Sequence, residues 1–188
     1  MNLKHHKKKQ PQIVRANLLE AAAQLIVERG LAGVTLEQVA QKAGVSKGGL
    51  IHHFSSKQAL IEELNRELLE TYEKNIEAFI AADPEPRGRF MRSYIKATFM
   101  PLKSYDSAKL FSALALAVCH NESLGCVCRD WYGGLEAKHG QDLRSPKAQM
   151  LRYATDGIWL EDCTGMASVS AEERRTIIDY LIRQTYEL

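Results

Sequence analysis

Long hydrophobic runs are missing from this chain of 188 residues: no stretch reaches the roughly 18 apolar residues that would read as a membrane span. Residues 1–10 are polar and lysine-rich with no apolar stretch behind them, so no secretory signal is expected and the cytoplasm is the expected compartment. Cysteine is scarce, with four in all, Cys119, Cys126, Cys128 and Cys163. Cys126-Val127-Cys128 lacks the two-residue gap of common zinc knuckles, which leaves reduced thiols acting as small hydrophobes as the plainer reading. Strand-like alternation and internal repeats are absent, so no sheet is expected. Also absent are a glycine-rich phosphate loop, a Gly-x-Ser-x-Gly elbow and a paired-histidine zinc motif. The acids Asp156, Glu161 and Asp162 have no nucleophile or base at a matching spacing. No enzymatic activity, metal or cofactor is therefore expected.

What is present is unevenly charged. The net charge of +2 conceals a basic first third: residues 1–60 hold nine Lys/Arg and three Asp/Glu, a net of +6, while the remainder carries 16 and 20, a net of −4. A basic module attached to an acidic remainder fits a DNA-facing part joined to a regulatory part. His5 and His6 are adjacent rather than spaced for chelation. Lys4–Lys9 is too charged to pack, so residues 1–11 read as a mobile basic arm, either solubilising or lying along phosphates.

The chain is organised around Thr35–Phe54. Thr35 followed by Gln38 forms a capping box for a first short helix with Leu36, Val39 and Ala40 on its buried side. Gly44 supplies a left-handed stop, and Ser46 caps a second short helix whose buried side is Leu50 and Phe54. Two capped helices around a glycine-containing turn fit a helix-turn-helix, whose second helix enters the DNA major groove. Gly48 and Gly49 each cost that helix roughly 1 kcal/mol against alanine, a cost that close approach to a DNA backbone or base edge would explain.

Val34-Thr35-Leu36, Val39-Ala40, Ala43-Gly44-Val45-Ser46, Gly48, Leu50, His53-Phe54, Ser56-Lys57 and Leu60 together resemble the TetR family of bacterial repressors. The resemblance covers roughly residues 12 to 62. It implies a dimeric, all-helical binder of a double-stranded DNA operator with an effector-sensing C-terminal part. Carried over by position, the DNA-contacting residues are Thr35, Ser46, Lys47, Gly48, Gly49, His52, His53 and Lys57. Lys47 and Lys57 are assigned to phosphates. Ile51 stands where the family usually has a phosphate-touching tyrosine, and it has no hydrogen to donate, which passes that contact to His52, Ser46 or Lys57.

The expected fold is all-α, with about nine helices: a three-helix head, a long linking helix and a C-terminal bundle for effector binding and dimerisation. Residues 12–57 form the expected DNA-binding domain and 58–188 the effector and dimer domain. The helices are read over Ile13–Arg29, the two short ones, and one from Ser55 or Ser56 to the Asp83–Pro86 break. Others run from Arg87 to Pro101, and from an Asp106-Ser107 cap over Ala108–His120, a segment apolar on most sides and so expected to be buried in the middle of the bundle. The last three are Glu122–Lys138, Ser145-Pro146 to about Asp162, and a Ser170/Glu173 capping box to Tyr186.

Phe99, Met100, Phe111, His120, Trp131, Tyr132, Asp156 and Trp159 are candidates for lining an apolar effector pocket with a few polar anchors, alongside Met166 and Gln149. Taken singly, each reads better as ordinary core. Tyr153, Ile177, Ile178 and Leu181 are candidates for a homodimer seam. The expected function is a one-component transcriptional regulator that binds a palindromic operator as a homodimer and is released by a small molecule, with no membrane partner. Two alternatives stand beside it. One is a thiol or soft-metal sensor using Cys119, Cys126 and Cys128; the other is a ligand-binding protein that has lost DNA binding.

Overall fold

A computed structural model describes residues 6–99, 105–118, 120–166 and 169–188, with side chains at all of these except 6–10, 105–108 and 141. Among the described residues there are nine α-helices and no strand. They are α1 (His6–Arg29), α2 (Leu36–Lys42), α3 (Lys47–His53), α4 (Lys57–Ala82), α5 (Arg89–Phe99), α6 (Tyr105–Val118), α7 (Glu122–Leu143), α8 (Pro146–Thr164) and α9 (Ala171–Gln184), followed by a 3₁₀ turn over Thr185–Glu187. No single helix among them is long and apolar enough to cross a membrane.

The helix ends follow the chemistry of their caps. Thr35 Oγ1 accepts from the Gln38 backbone N–H at 3.3 Å, and Gln38 Oε1 accepts from the Thr35 N–H at 3.1 Å, completing the capping box of α2. Ser170 and Glu173 do the same for α9. The choice between two serines at the start of α4 falls to Ser56, whose hydroxyl accepts from the Ala59 N–H at 3.0 Å. Gly30, Gly44 and Gly165 close helices in the left-handed region, where a β-carbon would be strained.

Three boundaries depart from the sequence reading. The α1 backbone is helical from His6, so the basic arm expected over residues 1–11 is helical for its second half; residues 1–5 lie outside the described residues. Helix α6 begins at Tyr105, which places Asp106 and Ser107 inside its first turn instead of at its cap. Helix α7 continues to Leu143 across a non-helical kink at His139 (φ −127°, ψ 16°), past the end expected at Lys138.

The chain forms two compact units, residues 1–68 with 103–127, and residues 69–102 with 128–188. Helix α6 packs against α1 within the first unit. The first unit's core joins Leu18, Ala22, Leu25 and Ile26 of α1 to Val39, Leu50, Phe54, Leu60 and Leu64, with Leu110, Leu114 and Leu124 closing it. Helix α6 is thus buried along one side, and its Leu116 is exposed, unlike the all-round burial its composition suggested. Arg15 ties α1 to this core from the outside. It pairs with Glu63 and with Glu67 at 3.2 Å, and its guanidinium lies 5.4 Å from the Phe54 ring centroid.

The second unit packs Phe90, Met91, Tyr94 and Ile95 of α5 against Ile76, Leu135, Leu151 and Leu181. Its largest fully buried side chain is charged. Arg92 Nε meets Asp83 Oδ2 at 2.7 Å, and its other nitrogens donate to the Arg87 and Glu85 carbonyls at 2.8 and 2.7 Å and to Thr185 Oγ1 at 3.2 Å. The guanidinium lies 4.1 Å from the Tyr186 ring centroid. One residue therefore fastens the Asp83–Pro86 turn, the start of α5 and the chain's last turn. Gly88 (φ +66°) allows that approach, since a β-carbon there would sit 1.9 Å from the Thr185 carbonyl oxygen.

Candidate functional site

The exposed chemistry of the first unit lies on α2, α3 and the turn between them. Both glycines of α3 are helical, with neither in the left-handed region. Ser46 caps α3 by accepting from the Gly49 N–H at 3.0 Å. Leu50 and Phe54 point into the core, at 0% and 4% exposure. The opposite side of α3, made of Lys47, Gly48, Ile51 and His52, is exposed, and His53 is half-buried. The His52 and His53 rings meet edge to face at 5.6 Å.

The two lysines assigned to phosphates stand differently. Lys47 pairs with Glu37 in the first turn of α2, and this hydrogen bond holds the Glu37 carboxyl below its ordinary range. Both side chains are more than half exposed, so the pair is open to competition. Lys57 is half-buried and donates to the Leu31 carbonyl at 2.9 Å, bracing the segment between α1 and α2. Thr35 is committed to its capping box.

In the second unit the polar centre is Asp156 on α8. Tyr94 donates to Asp156 Oδ1 at 2.6 Å, and Arg152 reaches Oδ2 at 2.9 Å. Burial pushes the Asp156 carboxyl above its usual value, against the lowering effects of Tyr94 and Arg152. Around it the aromatic rings form a continuous set. Tyr72 lies edge to face with Tyr94 at 5.9 Å and 5.7 Å from Trp131, and Phe90 stacks on His139 at 4.5 Å. The Tyr72 hydroxyl shares a 2.5 Å hydrogen bond with Thr98. Burial raises the pKa of both tyrosines well above the ordinary value. Trp131 Nε1 is buried with no hydrogen-bond partner, while His139 Nε2 faces Glu77 Oε1 at 3.6 Å.

Of the pocket candidates, the second unit brings Trp131, Tyr132 and Asp156 together: Arg152 bonds Asp156 and lies 5.2 Å from the Tyr132 ring. Trp159 is half-buried one turn after Asp156, and Phe99 sits under the Arg174 guanidinium at 4.9 Å. Phe111 and His120 belong to the first unit. Met100 lies outside the described residues, as does Cys119. Sequence reasoning missed Tyr72, Tyr94, Phe90, Arg152 and His139. The available signal was a tyrosine on an apolar helix face, at Tyr72 four residues before Ile76 and Tyr94 four after Phe90, because a buried hydroxyl demands a partner.

The dimer candidates also divide. Tyr153 is 59% and Ile177 39% exposed. Ile178 packs against the second core and Leu181 is buried within it. Met150, Leu160 and Tyr180 are exposed instead, at 70%, 45% and 53%. Among the described residues no cluster of three or more His, Cys, Asp or Glu could hold a metal. Cys126 and Cys128, two apart on α7, diverge by about 200° around the helix.

Comparison with known proteins agrees with this arrangement. Residues 18–64 match the family model described as bacterial regulatory proteins, tetR family, and residues 88–186 match a tetracyclin repressor-like C-terminal domain. The HTH-type transcriptional regulator BetI of Burkholderia ambifaria is 37% identical over 159 residues, covering 79% of this chain and 81% of that protein. BetI of Paraburkholderia phymatum is 31% identical over 161 residues, with the same two shares. Among solved structures, the multidrug binding protein EbrR complexed with imidazole superposes with a TM-score of 0.66 at 25% identity, over 89% of this chain and 93% of that one. A transcriptional regulator from Rhodococcus sp. Rha1 gives a TM-score of 0.73 at 21% identity over 92% and 96%, a likeness of fold.

Proposed function

The chain belongs to the tetR family of bacterial regulatory proteins, and on that premise we propose that it binds a palindromic operator as a homodimer and is released from it by a small molecule. It is a transcriptional regulator. The observation that carries the DNA reading is the pair α2 and α3: both are capped, both are anchored by buried apolar residues, and the outer face of the second is bare and exposed. Lys47, Gly48, Gly49, Ile51 and His52 are the residues proposed to meet DNA, with Lys47 on a phosphate. Ser46 and Thr35 hold the helix ends in place. Nothing in this reading calls for enzymatic chemistry, and the site of action is the cytoplasm.

The homodimer reading rests on the exposed apolar residues of α8 and α9. Met150, Tyr153 and Leu160 recur at intervals of three and seven, and Ile177 and Tyr180 at three, spacings that keep each set on one helix face. Two such protomers would set their recognition helices about 34–36 Å apart, one turn of DNA. A charge at Ile177 tests this. Ile177→Asp should give a folded monomer by sedimentation velocity, and a dimer of unchanged mass would remove α9 from the seam.

The effector reading rests on the aromatic set around Asp156. Aromatic rings with a few polar groups, among them the unpartnered Trp131 N–H, suit a small cationic or neutral molecule. EbrR has been solved with ethidium and with malachite green, relatives at 22% identity. Release requires that the effector bind the DNA-incompetent state more tightly. Binding-site selection from random duplexes with the purified chain tests the function as a whole. A twofold-symmetric consensus supports it, and recovery of unrelated sequences overturns it.

A further inference from the structure

We propose that Ile51 reads the C5-methyl group of a thymine in the major groove, one in each half-site of the operator. This rests on the reading of α3 as the recognition helix. Leu50 and Phe54 fix the inward side of α3, which turns Gly48, Ile51 and His52 outward. Ile51 is 46% exposed and belongs to no hydrophobic cluster of its unit, so the fold gives it no packing role. A β-branched residue is also a mediocre helix former.

Helical side chains lean toward the N-terminus and cover the turn before their own Cα. One turn before Ile51 stands Gly48, which has no side chain, and a β-carbon built there meets nothing of the protein nearer than Ser46 Oγ at 4.0 Å. The branched methyls of Ile51 therefore lean over bare backbone, toward the end of a recognition helix that faces base edges.

The chemistry of the groove then selects the contact. Phosphates and base-edge nitrogens and oxygens reward donors and acceptors, and Ile51 has neither. The thymine methyl is the apolar group that a major groove presents, and it is met by apolar side chains. A protein partner is a poorer match, since polar His52 and Lys47 and bare Gly48 surround Ile51 and leave no apolar patch of interface size.

The test uses the duplex recovered by binding-site selection, with each thymine in turn replaced by deoxyuridine, which removes the methyl and nothing else. For the unaltered chain, one position per half-site should weaken binding by about fourfold, the ratio one buried methylene-sized group is worth. In Ile51→Ala the same replacement should leave affinity unchanged, while effects at all other thymines persist. Helical content measured by circular dichroism verifies that the exposed substitution leaves the fold intact. Sequence-specific binding with no deoxyuridine effect that depends on Ile51 overturns the assignment and leaves the regulator reading standing. Absence of sequence-specific binding overturns both.

Discussion

The Tyr94 hydroxyl donates to Asp156 Oδ1 at 2.6 Å, linking α5 to α8 through a buried tyrosine and a carboxylate that also holds Arg152. Tyr94→Phe leaves that oxygen without its donor and should cost about 1–2 kcal/mol of the second unit's stability in urea denaturation. An unchanged midpoint would mean that water replaces the hydroxyl at no cost. Because burial raises the Asp156 pKa, its contribution is present below the ordinary value of 3.8 and is lost as pH rises through the raised value.

Asp83, bonded by Arg92, titrates with the opposite sign. The Asp83 carboxyl is held below 3.8, first by its hydrogen bond from Arg92, so the stabilisation is complete above that value and lost as pH falls through the lowered one. Arg92→Met strands the Asp83 carboxylate, which is 6% exposed, and should cost about 3–5 kcal/mol. Arg92→Lys should not restore it, since a single ammonium cannot reach four acceptors in a fixed fork. Melting curves from about pH 6 to about pH 3 should show the gap between the parent chain and Asp83→Asn narrowing.

Gly48→Ala separates the needs of the helix from the needs of its ligand. The added β-carbon meets open space and the backbone angle is ordinary, so the fold should gain up to about 1 kcal/mol. Operator affinity should fall nonetheless, by tenfold or so if a backbone or base edge approaches there, about 1.4 kcal/mol. A variant that is both more stable and equally tight on DNA would show that the glycine is incidental.

Lys47, proposed to hold a phosphate, is paired with Glu37. Glu37→Gln should free it and tighten binding to any duplex. Lys47→Ala should weaken binding across sequences and lower the salt slope by about 0.9. A change of preferred sequence in Lys47→Ala, with the slope intact, would place the lysine on a base instead.

The head was legible in the sequence because its signals are local. A capping box, a left-handed glycine and a capping serine act within five residues, and each is found where the spacing puts it. The aromatic cluster around Asp156 was less legible because its members meet across the fold: Tyr94 and Asp156 are 62 positions apart, and nothing near either one names the other. Composition misled at α6, whose apolar faces promised all-round burial but whose Leu116 is exposed. At α9 a stripe of Ile177, Ile178 and Leu181 could not reveal which members its own core would take. That depended on the packing of α5 and α8 against it.

Sequence-specific recognition by α3 is open to one direct equilibrium measurement. The full chain is titrated by fluorescence anisotropy against the selected duplex and against a scrambled duplex of the same composition, across a range of salt. Specific binding should exceed the scrambled control by about a thousandfold or more, with log K falling linearly in log salt for both. Equal affinity for the two duplexes at every salt concentration would contradict it.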